Sequence, residues 1–310
     1  MHFVMNSKRK EVASGAEYDL ALANGVGWHI RAARGAQVWL KKMATIMELK
    51  DPKSDHYPNL LVFRGGSTPA EIEGIVRGFS GIRKDLPARG WVVHDLGRIR
   101  YLSHGEVEDM ICAIGDEEGE EMEFEAMQEF LIPVYEGTIE SGGLLIHAAL
   151  MEREGKGVIL GGPGGRGKST CCRRIPEPWH ARCDDLTLLV EDHEKRYQAH
   201  PFPTWSDYLS KRSAGTWDVQ NHVQLSAIFI LEQSGHDEVV PVGQSEAAIM
   251  ITKLATQIYR RDWWRTKEEV RERKIRIFTN AGQLARNVPA FILRISREGQ
   301  FWKEMEKVLK

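Results

Sequence analysis

Between Glu17 and Glu125 the rhythm of apolar and polar positions changes several times within short distances, which predicts an α+β arrangement of interleaved short elements. Tyr18 to Ile30 reads as a strand or hairpin broken at Gly25 and Gly27, whereas Gln37 to Leu49 carries apolar residues at helical spacing. Asn59 to Phe63 is a short strand ending at Gly65-Gly66, and Ser67-Thr68-Pro69 followed by Glu71 predicts a helix that runs to Gly78. Trp91 to His94 and Ile99 to Leu102, separated by Asp95-Leu96-Gly97, predict a hairpin. The acidic run Asp116 to Glu125 is either a linker or an exposed helix start, so an N-terminal α+β domain is assigned to residues 1–125 and a second, α/β domain to residues 126–310. In that second part Leu144 to Ile146, His180 to Cys183 and Leu186 to Val190 read as strands, and the amphipathic tail Phe301 to Leu309 is expected to dock on the body.

The chemistry concentrates where an apolar strand at Val158 runs into a glycine-rich loop and then into a short helix closed by Pro176. Gly162-Pro163-Gly164-Gly165-Arg166-Gly167-Lys168-Ser169 fits the G-x-x-x-x-G-K-[ST] pattern, with Thr170 next. Glycines allow positive φ and let backbone N–H groups face a phosphate with no Cβ in the way, and the helix that starts at Lys168 points its N-terminus at the same anion. Lys168 is placed to bridge the β- and γ-phosphates and Ser169 to ligate Mg2+. Arg166 is either a further phosphate contact or a solvated arginine.

A P-loop needs a carboxylate nearby to hold magnesium, and Asp184-Asp185 precedes the strand Leu186 to Val190 instead of ending one. Adjacent carboxylates repel unless a cation or proton lies between them, so the pair reads either as a magnesium ligand plus a general base or as a solvated turn. Upstream, the strand Leu144 to Ile146 delivers His147, and Gly155-Lys156-Gly157 turns the chain back into the P-loop strand. Adjacent antiparallel strands bring His147 near the phosphates; a histidine on an apolar strand is otherwise a satisfied core residue.

Composition narrows the partners. With 42% hydrophobic and 28% charged residues the 310-residue chain is that of a globular protein, and its net charge of −2 gives no global field for nucleic acid or anionic lipid. Apolar runs such as Ala227 to Leu231 fall far short of the roughly 20 residues that cross a bilayer, and Met1 to Val12 holds no signal-peptide core. Cys112, Cys171, Cys172 and Cys183 fit neither a zinc motif nor a secreted disulfide framework, so a soluble cytoplasmic protein with buried thiols is expected. Two weaker signals are the aromatic loop Ala199 to Ser206, read as a wall of the nucleotide or acceptor site or a loop packed on the core, and Tyr259 to Arg273, read as a contact for phosphate, an acidic peptide or nucleic acid or, in preference because Asp262, Glu268, Glu269 and Glu272 interrupt its positive charge, as a helix with a packed tryptophan and a solvated face.

His147, the loop Gly162 to Ser169 and Asp184-Asp185 together resemble the catalytic domain of HPr kinase/phosphorylase, a serine kinase related in fold to phosphoenolpyruvate carboxykinase. The likeness is closer to the shorter HPr kinase-like proteins of the SynChlorMet cassette ScmC type, through GKSTCCRR at Gly167 to Arg174, CDD at Cys183 to Asp185 and HPFPTWS at His200 to Ser206. It covers about Leu144 to Leu231 well. The resemblance implies a P-loop catalytic domain that uses ATP or GTP with Mg2+, with Asp184 as the base, Asp185 holding the metal, and an oligomer possible. The acceptor it implies is a serine or threonine hydroxyl of a small protein or ribosomally made peptide; a small-metabolite kinase and a nucleotide-dependent switch or assembly ATPase are the alternatives, and the N-terminal α+β domain is expected to select the substrate. The serine kinase's usual N-terminal domain and downstream signature are not recognisable in this chain.

Overall fold

The computed structural model describes residues 16–309 apart from 34, 54–55, 66–73, 75–85, 88, 116–118, 211–214 and 259–264. The helix expected from Ser67 to Gly78, the start of the acidic run and Trp263-Trp264 therefore lie, wholly or mainly, outside the described residues. Two mixed sheets and several helices make up the rest, a mixed α/β architecture.

The first sheet has the order β1-β2-β3-β6-β5-β4. Its strands are β1 (Glu17–Ala21), β2 (Gly27–Ala32), β3 (Asn59–Arg64), β4 (Val92–Asp95), β5 (Ile99–His104) and β6 (Val107–Ile114). The β1–β2 and β4–β5 hairpins form where the alternation predicted them, while β2, β3 and β6 run parallel. Helix α1 (Gln37–Met47) buries Trp39, Leu40, Met43 and Met47, and the Trp39 ring meets Phe130 edge-on at 5.2 Å. That contact reaches into α2 (Glu120–Phe130), which with α3 (Ile132–Glu140) leads into the second half. The junction between residues 125 and 126 thus lies inside α2, whose Phe124, Met127 and Phe130 are buried.

The second sheet has nine strands: β7 (Leu144–Ile146), β8 (Ala148–Arg153), β9 (Lys156–Gly161), β10 (His180–Cys183), β11 (Leu186–Glu191), β12 (Tyr197–Phe202), β13 (Val223–Gln233), β14 (Glu238–Pro241) and β15 (Ala290–Ile295). Its main path is β10-β8-β9-β13-β12-β11-β7, and β15, itself paired with β14, joins β13 in parallel. β7 and β8 lie near opposite ends of this path yet only His147 separates them in sequence; β10 and β11 are likewise joined by Asp184-Asp185 alone. The sheet must curl until its two ends meet, and they meet at those three residues.

Helices α4 (Lys168–Arg174), α5 (Trp205–Leu209), α6 (Gln244–Thr256), α7 (Lys267–Asn287) and α8 (Phe301–Val308) complete the fold. α7 begins with a capping box in which the Thr266 hydroxyl accepts from Glu269 N (3.2 Å) and the Glu269 carboxylate from Thr266 N (2.7 Å). α8 buries Phe301 and Met305, as its amphipathic pattern required. The segment Ala199 to Ser206 is not a loop. Its first part belongs to β12 and its end opens α5, because Ala199, Phe202 and Trp205 all face the core.

One apolar cluster contains Leu40, Phe130, Ile146, Leu188 and Ile251, so both sheets share a core. Backbone and side chain also join the two halves: Trp217 N donates to Ile46 O (2.8 Å) and Ala21 N to the Gln220 side chain (2.8 Å). Cys112, Cys171 and Cys183 are buried free thiols and Cys172 is half-buried; burial pushes the Cys183 thiol up to about 11 and Cys171 to about 12, so both stay protonated. Among the described residues no helix is long and apolar enough to cross a membrane.

Candidate phosphate and carboxylate site

Strand β9 is buried along Gly157–Gly161 and lies between β8 and β13, so the loop after it is presented from the middle of the sheet. Gly162 is buried, Pro163 to Arg166 are exposed and α4 starts at Lys168. The turn is made possible by Gly165 (φ 78°) and Gly167 (φ 108°), where any L side chain would be strained. Arg166 N donates to Pro163 O (3.3 Å) and the Gln233 amide to Gly165 O (3.1 Å), which ties the loop to the end of β13. Lys168 is buried, and its Nζ donates to Gly162 O (2.8 Å), folding the ammonium back across the loop. Burial lowers the Lys168 pKa, and the nearby charges of Asp185 and Asp184 oppose that shift. Ser169 is half-buried and Thr170 exposed.

The acids reach this loop through strand register. β8 pairs with β9 so that Ala148 faces Gly161; His147, one residue earlier, therefore stands beside Gly162, one residue later. Strand β11 has a partner on each side. Towards β7, Ile146 faces Thr187, and beyond the gap Leu150 faces Cys183 in the same register, so β7-β8 and β10-β11 form one antiparallel ribbon, opened in the middle at His147 and Asp184-Asp185 and shifted by one residue only further out, between Cys183 and Ala181. Towards β12, Leu186 faces Phe202, and carrying that register back by two residues brings Asp184 opposite Thr204.

Contacts follow these registers. His147 Nε2 lies 2.9 Å from Asp185 Oδ1, and the Thr204 hydroxyl donates to Asp184 Oδ1 at 2.6 Å. Burial by itself would raise the Asp185 carboxyl; the hydrogen bond and charge of His147 and the charge of Lys168 outweigh it and hold the group below the ordinary carboxylate range. Asp185 is thus an anion at neutral pH with a cationic neighbour. His147, Lys168, Asp184 and Asp185 come together at the loop, while the Arg166 side chain is exposed.

Thr204 was missed by reading residues singly. Its signal was the pair of apolar-rich runs on either side of the turn at Asp192, whose carboxylate accepts from Glu194 N (2.8 Å) and Arg196 N (3.0 Å) and so closes a tight turn. Once that hairpin is recognised, the register names Thr204 as the neighbour of Asp184. Among the described residues no group of three or more His, Cys, Asp or Glu side chains forms a metal cage.

The family model described as SynChlorMet cassette protein ScmC matches residues 110–310, more than half of the chain. No curated protein matches the chain significantly. The chain belongs to the ScmC family.

Proposed function

We propose that this ScmC-family protein is a Mg2+-dependent phosphotransferase with a catalytic domain of the HPr kinase and phosphoenolpyruvate carboxykinase type. It moves the γ-phosphoryl group of ATP, or of GTP, to a hydroxyl, and a serine or threonine of a small protein or ribosomal peptide is the acceptor it suits. The observation that supports this best is the convergence of Lys168, Asp184 and Asp185 on a glycine loop at the end of β9: Lys168 feels both carboxylates electrostatically, although they lie 16 and 17 residues away in sequence.

The residues suit a magnesium nucleotide. In the exposed turn Pro163 to Arg166 the amides of Gly164 and Gly165 carry no side chain that would shield them from a phosphate, and Lys168 already donates to a carbonyl oxygen that a phosphate oxygen can replace. Magnesium is commonly held by one or two protein oxygens together with phosphate oxygens and water, so Ser169 and Asp185 suffice and no protein cage is required. Bound Mg-nucleotide would supply the transferable phosphoryl group and the divalent charge that offsets its negative charge.

The chain's own residues then have separate tasks. Gly162, Gly164, Gly165, Gly167 and the amides through Thr170 orient the phosphates, and Lys168 offers a fixed positive charge. His147 keeps Asp185 ionised and aimed. Asp184 takes the proton of the acceptor hydroxyl through its second oxygen, the first being occupied by Thr204.

Transfer of labelled γ-phosphate to serine-containing peptides tests the reading. Asp184→Asn should keep nucleotide affinity and lose transfer. Nucleotide turnover that needs no acceptor and survives Asp184→Asn would instead fit a switch ATPase.

A further inference from the structure

Away from the glycine loop, a cavity of about 270 Å3 opens between the first sheet, α3 and the start of α7. It is close to the lower end of the roughly 300–1,000 Å3 typical of small-ligand pockets and well above the ~150 Å3 of a dry cavity that takes up benzene. Its floor is aromatic and aliphatic: Trp28 from β2, Tyr101 from β5, Met110 from β6 and Ile132 from α3 line it. Its rim is charged: Glu136 and Glu140 stand one turn apart on α3, Glu269 lies on α7, and Arg265 and His94 line the same cavity, so the carboxylates outnumber the basic groups there.

These carboxylates are not equally available. Glu136 is shared between Arg265 (3.0 Å) and Arg273 (3.1 Å), and Glu269 is engaged in the helix cap with Thr266 (2.7 Å). Among the described residues Glu140 pairs with Arg276 alone, at a long 3.4 Å, and both side chains are exposed. An exposed pair of that kind contributes little and exchanges readily.

A second observation points to an occupant. Gly137 also lines the cavity, in the middle of α3, where glycine costs stability relative to alanine. Among the described residues a Cβ built on Gly137 would meet nothing within 4 Å, so their packing gives no reason for a missing side chain there. The space it leaves is part of the cavity.

We propose that this cavity binds an organic ammonium ion with a compact apolar or aromatic body. The body lies on Trp28 and Tyr101, whose rings also favour a cation over their faces, and the ammonium group takes Glu140 from Arg276. Gly137 leaves room for the ligand to pass along α3. The same group is carried by a free arylalkylamine or by a lysine side chain of a peptide.

Calorimetry on the intact chain with phenethylammonium chloride, 3-phenylpropionate and a capped Leu-Lys-Leu tripeptide tests this. The ammonium probe should saturate, the anion should not, and whichever of amine and tripeptide binds more tightly identifies the source. Glu140→Gln should weaken the ammonium probe by roughly tenfold, the loss of one charge-assisted contact. Gly137→Ala should raise the melting temperature yet weaken binding, a pair of effects that a merely structural glycine would not give. Saturation by the anion as strong as by the cation, no saturation by either cationic probe, or unchanged affinity in Gly137→Ala would each overturn the assignment.

Discussion

Acidification from pH 7 to 4 should destabilise this fold through His200. The imidazole is fully buried on β12, where Nδ1 lies 2.7 Å from Val219 O and Nε2 lies 3.1 Å from Ala23 N. A carbonyl only accepts, so Nδ1 carries the proton; Ala23 N–H only donates, so Nε2 must keep its lone pair. Protonation at Nε2 would set two donors face to face and sever the bond that joins β12 to the β1–β2 turn. Burial, aided by the neighbouring His222, lowers His200 from 6.5 to about 4, against the opposing effect of the Val219 hydrogen bond. Because the folded value lies below the unfolded one, the unfolded chain binds more protons between them, and stability present above pH 6.5 is lost as pH falls towards 4. At 1.36 kcal/mol per pH unit this gap amounts to ~3 kcal/mol, a substantial part of a typical 5–15 kcal/mol stability. Urea unfolding at several pH values between 7 and 4, on wild type and on His200→Gln, isolates the effect because every other group titrates in both proteins. The wild type should lose ~3 kcal/mol more than the variant over that range. Histidine proton resonances of the wild type provide an independent reading, with His200 neutral down to about pH 4. Equal pH slopes in the two proteins, or a His200 titration near 6.5, would refute the reasoning.

Three further outcomes are expected. Thr204→Val, which removes the 2.6 Å donor to Asp184, should lower kcat by on the order of tenfold while leaving nucleotide KM nearly unchanged, since a hydrogen bond to a charged group is worth about 1.5–3 kcal/mol; an equal rise in KM would instead indicate a collapsed site. Gly161→Ala sets a Cβ against Leu254 Cδ1 in a space too small for it, so calorimetric unfolding should show a loss of about 1–3 kcal/mol from overpacking, and an unchanged melting temperature would contradict the packing described. Asp192 accepts four hydrogen bonds, from the backbone of Glu194 and Arg196 and the side chains of Arg196 and Gln198, which outweigh burial and bring it from 3.8 to about 2. Its stabilisation is present above pH 3.8 and lost as pH falls through 2, so Asp192→Asn should flatten the acid limb of the stability curve there, as read by circular dichroism.

What could be read from the chain alone was what is local. The strand, loop and helix around Gly162 to Ser169 follow from glycine conformational freedom and an apolar run, and appear at Lys156–Gly161 and Lys168–Arg174. His147 was placed beside the loop from one hairpin, which needs only the turn at Glu154-Gly155. Strand β6 was not marked. Its apolar residues from Ile111 to Ile114 are all buried because Cys112 and Ile114 pack into one apolar cluster and Ile111 and Ala113 into another, so the run lacks the alternation that betrays a strand with one wet face. The closure of the large sheet was also out of reach, since it depends on β11 pairing with β7 and β12 together, a choice made by packing across the whole core and not by any segment. Thr204 lay between: the residues that fix it were visible, but only the β11–β12 register turns them into a contact.

The account rests on nucleotide binding at the glycine loop, and titration calorimetry of the intact protein with Mg-ATP and Mg-GTP measures that directly. Saturable heat in the wild type, lost in Lys168→Ala while far-ultraviolet circular dichroism and melting remain close to wild type, is the predicted result. No saturation by either nucleotide at millimolar concentration, or binding of equal strength in the Lys168→Ala protein, would contradict it.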